Sequence, residues 1–329
     1  MTPTPRVGRP PRIALTGATG YVGSAFLRHL SGMASPWPVT ALVRQPPPRP
    51  LPFVTYLRGE MPGHLPAAFP PPDTDVLVHL AGENRSRDQA TLHAVNVAGT
   101  RALLDAAPAT LQGVLLGSSL SVYGKGAHVR VTETAPARPA TALARTRLGA
   151  EHEVTQAMRQ RNATAYLLRP RFITSQDDTS FLPGIARLRR LPLRLPADRT
   201  HFSLIDADDY GAVIAQLARR VLDRAARGTP LRTPVNVAYR RPMALQDLFD
   251  LLATPPGPLR WLPAAPLRAL TSALPGQGAS HLAERLELVT RSHWADVGLL
   301  ESEIGTALTA KSPETVLRSY RAYPPEQDT

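Results

Sequence analysis

Cysteine is absent from the 329 residues. That excludes disulfides, thiolate catalysis and cysteine-held zinc. Lysine is nearly absent: Lys125 and Lys311 stand against 36 arginines. Aromatic residues make up only 5 % of the chain. The formal charge of +12 would suit an anionic partner. However, no nucleic-acid-binding motif is present, and aromatics are too few to interleave with the basic residues, so nucleic acid is not expected. A charge made almost wholly of arginine in a proline- and alanine-rich chain reads as coding bias. No run is long and apolar enough to span a bilayer, so no membrane partner is expected. Residues 1–11 lack the apolar core of a signal peptide. The expectation is a cytoplasmic protein with a small-molecule substrate. The nine histidines show no metal-type spacing, and no metal site is expected. The densest basic cluster, Arg187, Arg189, Arg190, Arg194 and Arg199, either grips an anionic substrate or forms a solvated helix face, and the second reading is slightly preferred.

What is present begins at Arg12. A short β-type run to Thr16 leads directly into Gly17-Ala18-Thr19-Gly20-Tyr21-Val22-Gly23. Ser24 to Leu30 follows, with Ala25, Phe26, Leu27 and Leu30 at helical spacing. This is the strand, glycine turn and helix that a dinucleotide fingerprint requires. Gly17 permits the tight turn, Gly20 lets the backbone approach a pyrophosphate, and Gly23 lets the helix pack close to the strand. The helix N-terminus then offers free N–H groups to phosphate. The next strand, Val39 to Val43, ends in Arg44 where an NAD site usually places a carboxylate. Arginine there suits a ribose 2′-phosphate, which favours NADP over NAD. A merely solvated Arg44 is the alternative in so arginine-rich a chain.

Further strands are expected at Val54 to Glu60, Asp75 to Gly82 and Val114 to Ser119, with Asn96 to Thr100 inside a helix. Gln45 to Pro52 and Pro62 to Pro72 read as extended connections. Strands alternating with helices predict an α/β fold, a doubly wound parallel sheet of Rossmann type. A smaller, discontinuous C-terminal substrate domain is expected beside it. Residues 12–170 would form the NADP-binding domain, with a return near 205–230. Residues 171–204, 230–244 and 245–322 would bind substrate, and 1–11 and 323–329 would be tails. Trp261-Leu262-Pro263 and the leucine-rich stretch to Leu274 would cap the cleft or belong to the core.

Taken in order, these segments resemble the extended short-chain dehydrogenase/reductase superfamily, the NAD-dependent epimerase/dehydratase group. Ser121-Val122-Tyr123-Gly124, Leu167-Leu168-Arg169-Pro170, Phe202 to Asp209, Val235 to Ala238, Trp294-Ala295-Asp296 and Ile304-Gly305 carry the resemblance further. It covers roughly residues 12 to 320. The Phe202-Ser203-Leu204-Ile205 segment and Arg44 are also similar to those of hydroxysteroid and flavonoid reductases. The resemblance implies that Gly17, Thr19, Gly20, Tyr21, Val22, Gly23, Arg44, Glu60, Leu80, Ala81, Gly82, Arg147 and Pro170 contact the cofactor. It also implies a homodimer.

Enzymes of that superfamily carry a Tyr and, one helical turn later, a Lys beside the nicotinamide. A free phenol has a pKa of about 10, and the ammonium favours its phenolate. Aligned on Leu148-Gly149-Ala150-Glu151, the Lys position is Arg147 and the Tyr position is Leu143. Arg147 still supplies charge and hydrogen bonds, with a larger planar head. Leu143 has no proton to give. Ser119 takes the place of the catalytic hydroxyl residue. Tyr123 and Lys125 are the candidates to replace the missing phenol, although Tyr123 more commonly packs beneath substrate and Lys125 sits in an exposed glycine loop. Two readings follow. One is an NADP(H)-dependent oxidoreductase or epimerase relative with an altered proton-transfer site at Ser119, Tyr123 and Arg147. It would act on a small carbonyl, a steroid-like compound or a nucleotide sugar. The other is a catalytically silent NADP(H)-binding sensor or scaffold.

Overall fold

The computed structural model describes residues 10–190, 193–252, 262–263, 266 and 286–320. Seven strands form the central sheet: β1 (Ile13–Thr16), β2 (Val39–Val43), β3 (Val54–Arg58), β4 (Val76–His79), β5 (Gly113–Gly117), β6 (Thr164–Pro170) and β7 (Arg232–Val237). Their order is β7-β6-β5-β4-β1-β2-β3, and every adjacent pair is parallel. β1, β4 and β6 are buried along their whole length, as a sheet covered on both faces demands. The chain reverses its winding between β1 and β4, which opens a crevice at the carboxyl ends of those strands.

Helix α1 (Tyr21–Ser31) covers one face. Helices α2 (Gln89–His93) and α3 (Gly99–Asp105) follow β4 and are joined by a π-helical turn over Ala94–Ala98. Helix α4 (Ala142–Gln160) packs with α3 on the opposite face. Beyond α5 (Phe181–Arg189), helix α6 (Ala207–Ala226) returns to lie against α1. The two helices approach unusually closely, because a Cβ on Gly211 would stand 2.8 Å from backbone atoms of Ala25 and Phe26. Asp206 caps α6 by accepting from the backbone N–H groups of Asp208 and Asp209, and Asp208 binds Arg28 of α1 at 2.6 Å.

Two sequence expectations are corrected. Arg232–Val237, assigned to the substrate portion, pairs with β6 over six residues and completes the main sheet. Its Pro234 is tolerated because β7 is an edge strand. Second, the strands expected to run to Glu60, Gly82 and Ser119 stop at Arg58, His79 and Gly117. Gly59, Glu60, Leu80, Ala81, Gly82 and Ser118, beyond those ends, form the crevice wall instead.

The rest of the C-terminal part assembles from distant segments. A four-stranded sheet joins Met243–Ala244, His201–Phe202, His293–Ala295 and His128–Val131. Phe172–Thr174 pairs in parallel with Leu204–Asp206. Helix α7 (Leu245–Leu251) packs under α5. Leu262–Pro263 pairs with Leu193–Arg194, but Trp261 and most of the leucine-rich stretch to Leu274 lie outside the described residues. So do most of the two expected tails. Arg189 of the basic cluster meets Asp250 at 3.5 Å and covers the Phe249 ring.

Candidate functional site

The crevice above β1, β4 and β5 is a cleft of about 620 Å³. Its floor is the glycine turn. Gly17 adopts φ +77°, and a Cβ there would lie 2.7 Å from the Ala81 backbone nitrogen. A Cβ on Gly23 would collide with the Gly17 carbonyl. Both positions therefore need glycine for the turn to close against β4 and for α1 to start where it does. Gly20 caps α1 without a side-chain hydrogen bond, and the first turn carries no acidic residue. The helix N-terminus is left positive and its N–H groups available to an anion.

The resemblance named thirteen residues against the cofactor. Gly17, Thr19, Gly20, Tyr21, Val22, Gly23, Arg44, Glu60, Leu80, Ala81, Gly82, Arg147 and Pro170 all line this one cleft. Ser118, Asn84, Val95, Ile173 and Tyr210, which the sequence reading did not single out, line it as well. Ser119, Tyr123 and Leu143 are not among the lining residues.

Arg147 reaches from α4 across the ends of β4 and β5. Its Nη1 donates to the Gly117 carbonyl at 3.2 Å and lies over Gly82, where a Cβ would be 2.8 Å away. Burial holds its pKa below the usual arginine value, though not enough to discharge a guanidinium. Beneath it, His79 is enclosed: its ring nitrogens meet Thr16 Oγ1 at 2.6 Å and Thr100 Oγ1 at 2.9 Å. Burial first, and the Arg147 cation second, push His79 down to about 3. His79 is thus a neutral structural link between β1, β4 and α3. Asn96, on the π-helical turn, fixes the rim. It accepts from the Glu83 backbone N–H at 2.8 Å and donates to the Glu83 carbonyl and to Thr146 Oγ1.

Ser119 caps the short 3₁₀ turn Leu120–Tyr123, accepting from the Ser121 N–H at 3.1 Å. Its own O–H remains free to donate. Ser118 instead donates to Glu151 Oε1 at 2.5 Å. Tyr123 is only 5 % exposed. Its hydroxyl donates to Asn236 Oδ1 at 3.0 Å, and the Arg169 guanidinium covers its ring. Burial raises its pKa despite that cation. The hydroxyl is thus engaged by Asn236, and Tyr123 does not line the cleft. Leu143 sits in the first turn of α4, half-buried, one turn before Arg147.

A second groove of about 1040 Å³ adjoins the cleft and shares Thr19, Arg44, Gly59 and Glu60 with it. Arg44, Arg49 and Arg58 line it and are exposed, and none forms an ion pair among the described residues. Arg28 also borders the groove but is held by Asp208. Glu60 is the one carboxylate among the lining residues. Arg49 and Arg58 come from the proline-rich loop and the β3 end; their shared groove with Arg44 carries no local sequence signal. Among the described residues no cluster of His, Cys, Asp or Glu is arranged to hold a metal, and no helix is long and apolar enough to cross a membrane.

Comparison with known proteins agrees with this geometry. Residues 13–228 match the NAD dependent epimerase/dehydratase family. A 4-hydroxy-2-methyl-3-oxo-4-farnesyl-3,4-dihydroquinoline-1-oxide ketoreductase from Stigmatella aurantiaca is 29 % identical over 297 residues, covering 84 % of this chain and 80 % of its own. The terminal R domain from the myxalamid PKS-NRPS biosynthetic pathway superposes with a TM-score of 0.70 at 20 % identity, over 96 % of this chain and 91 % of that one. The UDP-glucuronic acid 4-epimerase of Bacillus cereus, solved in complex with NAD, gives 0.66 at 16 % identity, over 93 % and 98 %. At these identities the two structures establish a shared fold.

Proposed function

We propose that this chain, which belongs to the NAD dependent epimerase/dehydratase family, is an NADP(H)-dependent carbonyl reductase with an altered proton-transfer site. The carrying observation is a cleft lined by Arg147, Pro170 and the glycine turn that adjoins a second groove lined by Arg44, Arg49 and Arg58, which form no ion pair among the described residues. The glycine turn suits a diphosphate, and the adjoining basic groove suits a 2′-phosphate, to which a guanidinium binds through paired N–H donors. The ketoreductase named above supports a carbonyl substrate over a nucleotide sugar.

A reduced nicotinamide dinucleotide held there would supply hydride chemistry toward a carbonyl carbon. The residues of this chain would do the rest. The Gly17–Gly23 turn and the α1 N-terminus hold the diphosphate. Arg147, fixed on the Gly117 carbonyl, holds the nicotinamide ribose and places positive charge near the developing alkoxide. Ser119, which adjoins Ser118 of the cleft wall and whose O–H is not spent on its cap, would donate to the substrate oxygen. Leu143 gives no proton, so the alkoxide takes one from solvent. Loss of a positioned acid costs about 10²- to 10⁴-fold in rate, and slow turnover is expected.

NADPH consumption in the presence of ketone and hydroxysteroid-type carbonyl compounds tests this reading. Wild type should turn over slowly. Leu143→Tyr combined with Arg147→Lys should accelerate it by about tenfold or more, a fraction of the full acid–base contribution. Tight NADPH binding with no turnover in either protein would favour the second reading, a silent NADP(H)-binding sensor or scaffold, which rests on Leu143 itself. Absence of NADPH binding would refute both.

A further inference from the structure

Four tyrosines among the described residues are buried: Tyr123, Tyr166, Tyr210 and Tyr239. Three have hydroxyl partners, namely Asn236 for Tyr123, Glu303 for Tyr166 and Asp209 for Tyr239. The Tyr210 hydroxyl has none, although the side chain is only 1 % exposed. An unpaired buried hydroxyl is costly, and a phenylalanine of the same shape would avoid that cost. The residue is therefore poorly explained by packing alone.

Its position supplies an explanation. Tyr210 is in the first turns of α6, immediately before Gly211, which seats α6 on the α1 backbone at Ala25 and Phe26. That contact brings the phenol up behind the glycine turn. Tyr210 lines the cleft together with Val22, Ser118, Pro170 and Ile173, and Arg147 lines the same cleft from α4. Burial raises the phenol pKa, and the one charged group acting on it, the Arg147 cation, lowers it without cancelling that effect. The hydroxyl is a neutral donor across the physiological range.

We propose that the Tyr210 hydroxyl is a cofactor-binding donor, satisfied when an acceptor oxygen in the diphosphate–nicotinamide half of a bound dinucleotide enters the cleft. This rests on the cofactor reading above. It adds a contact from α6, a helix on the opposite side of the sheet from α4 and Arg147. The same contact accounts for a buried polar atom that has no hydrogen-bond partner among the described residues.

Tyr210→Phe in the full chain tests it by two readouts that move in opposite directions. Without ligand, the variant should melt no lower than wild type, and higher by about 2–4 °C if the orphan hydroxyl carries its usual cost. NADPH binding, followed by its fluorescence, should weaken by about 10- to 100-fold, the range for a hydrogen bond to a charged or strongly polar partner. Adenosine 2′,5′-bisphosphate lacks the diphosphate–nicotinamide half, and its affinity should be unchanged. Unchanged NADPH affinity would overturn the proposal. So would equal weakening of both ligands, or a lowered melting temperature accompanying the loss, since either would mean general damage to the cleft. A wild-type protein that binds no dinucleotide would bring down the cofactor reading first, and this proposal with it.

Discussion

The Arg169 guanidinium holds both oxygens of the Glu151 carboxylate, Nε to Oε1 at 2.9 Å and Nη2 to Oε2 at 2.5 Å, and both side chains are buried. One oxygen of that carboxylate also accepts from Ser118 on the cleft wall. A buried fork of this kind welds α4 to β6 directly behind the Ser118 wall of the cleft.

Breaking it from one side should be expensive. Glu151→Ala leaves an unpaired guanidinium in the interior, and the expected loss is about 3–5 kcal/mol in urea unfolding. A loss below about 1 kcal/mol would mean that water or a rearranged neighbour neutralises Arg169, and that the pair is less enclosed than its geometry indicates.

The basic end of the groove predicts cofactor preference. Arg44→Ala should weaken NADPH binding by about tenfold, the value of one lost charge-assisted contact. NADH binding should stay the same, because it presents no 2′-phosphate. Adding Arg58→Ala should deepen the NADPH loss. Equal affinities of the wild type for NADPH and NADH would defeat the argument.

His79 predicts the acid limb of stability. Its pKa falls from 6.5 in the unfolded reference to about 3 in the fold, so between those values the unfolded chain takes up a proton that the native protein refuses. Its contribution is complete above pH 6.5 and declines as pH falls toward 3, with a slope of about 1.4 kcal/mol per pH unit. His293, buried and also held down to about 3, adds a second proton to the same window. His79→Gln, compared with wild type by urea midpoints at pH 7, 6 and 5, should lose about one proton of slope. An unaltered slope would show that His79 is not held neutral.

How far the sequence could be read follows from where each residue's partners lie. The glycine turn was legible because strand, turn and helix are contiguous, and each glycine answers to a neighbour within that unit or to the β4 end. The position of Arg44 at the rim of the cleft was legible for the same reason, because it directly follows β2. Tyr123 was not resolved by sequence alone: its hydroxyl partner, Asn236, lies 113 residues away. Tyr210 gave no signal, since in α6 it reads as one more apolar-face position, and only the fold brings it to the cleft. The seventh strand was placed with the substrate portion because its pairing with β6 joins segments more than sixty residues apart, which no local pattern reveals. Arg49 and Arg58 were hidden by the abundance of arginine.

Gly211 leaves no space between α1 and α6. The two helices therefore form a single stiff wall behind the glycine turn, and any strain from filling the cleft passes through both together. Anything that enters the cleft must therefore be accommodated from the facing side, where Arg147 is anchored on the Gly117 carbonyl.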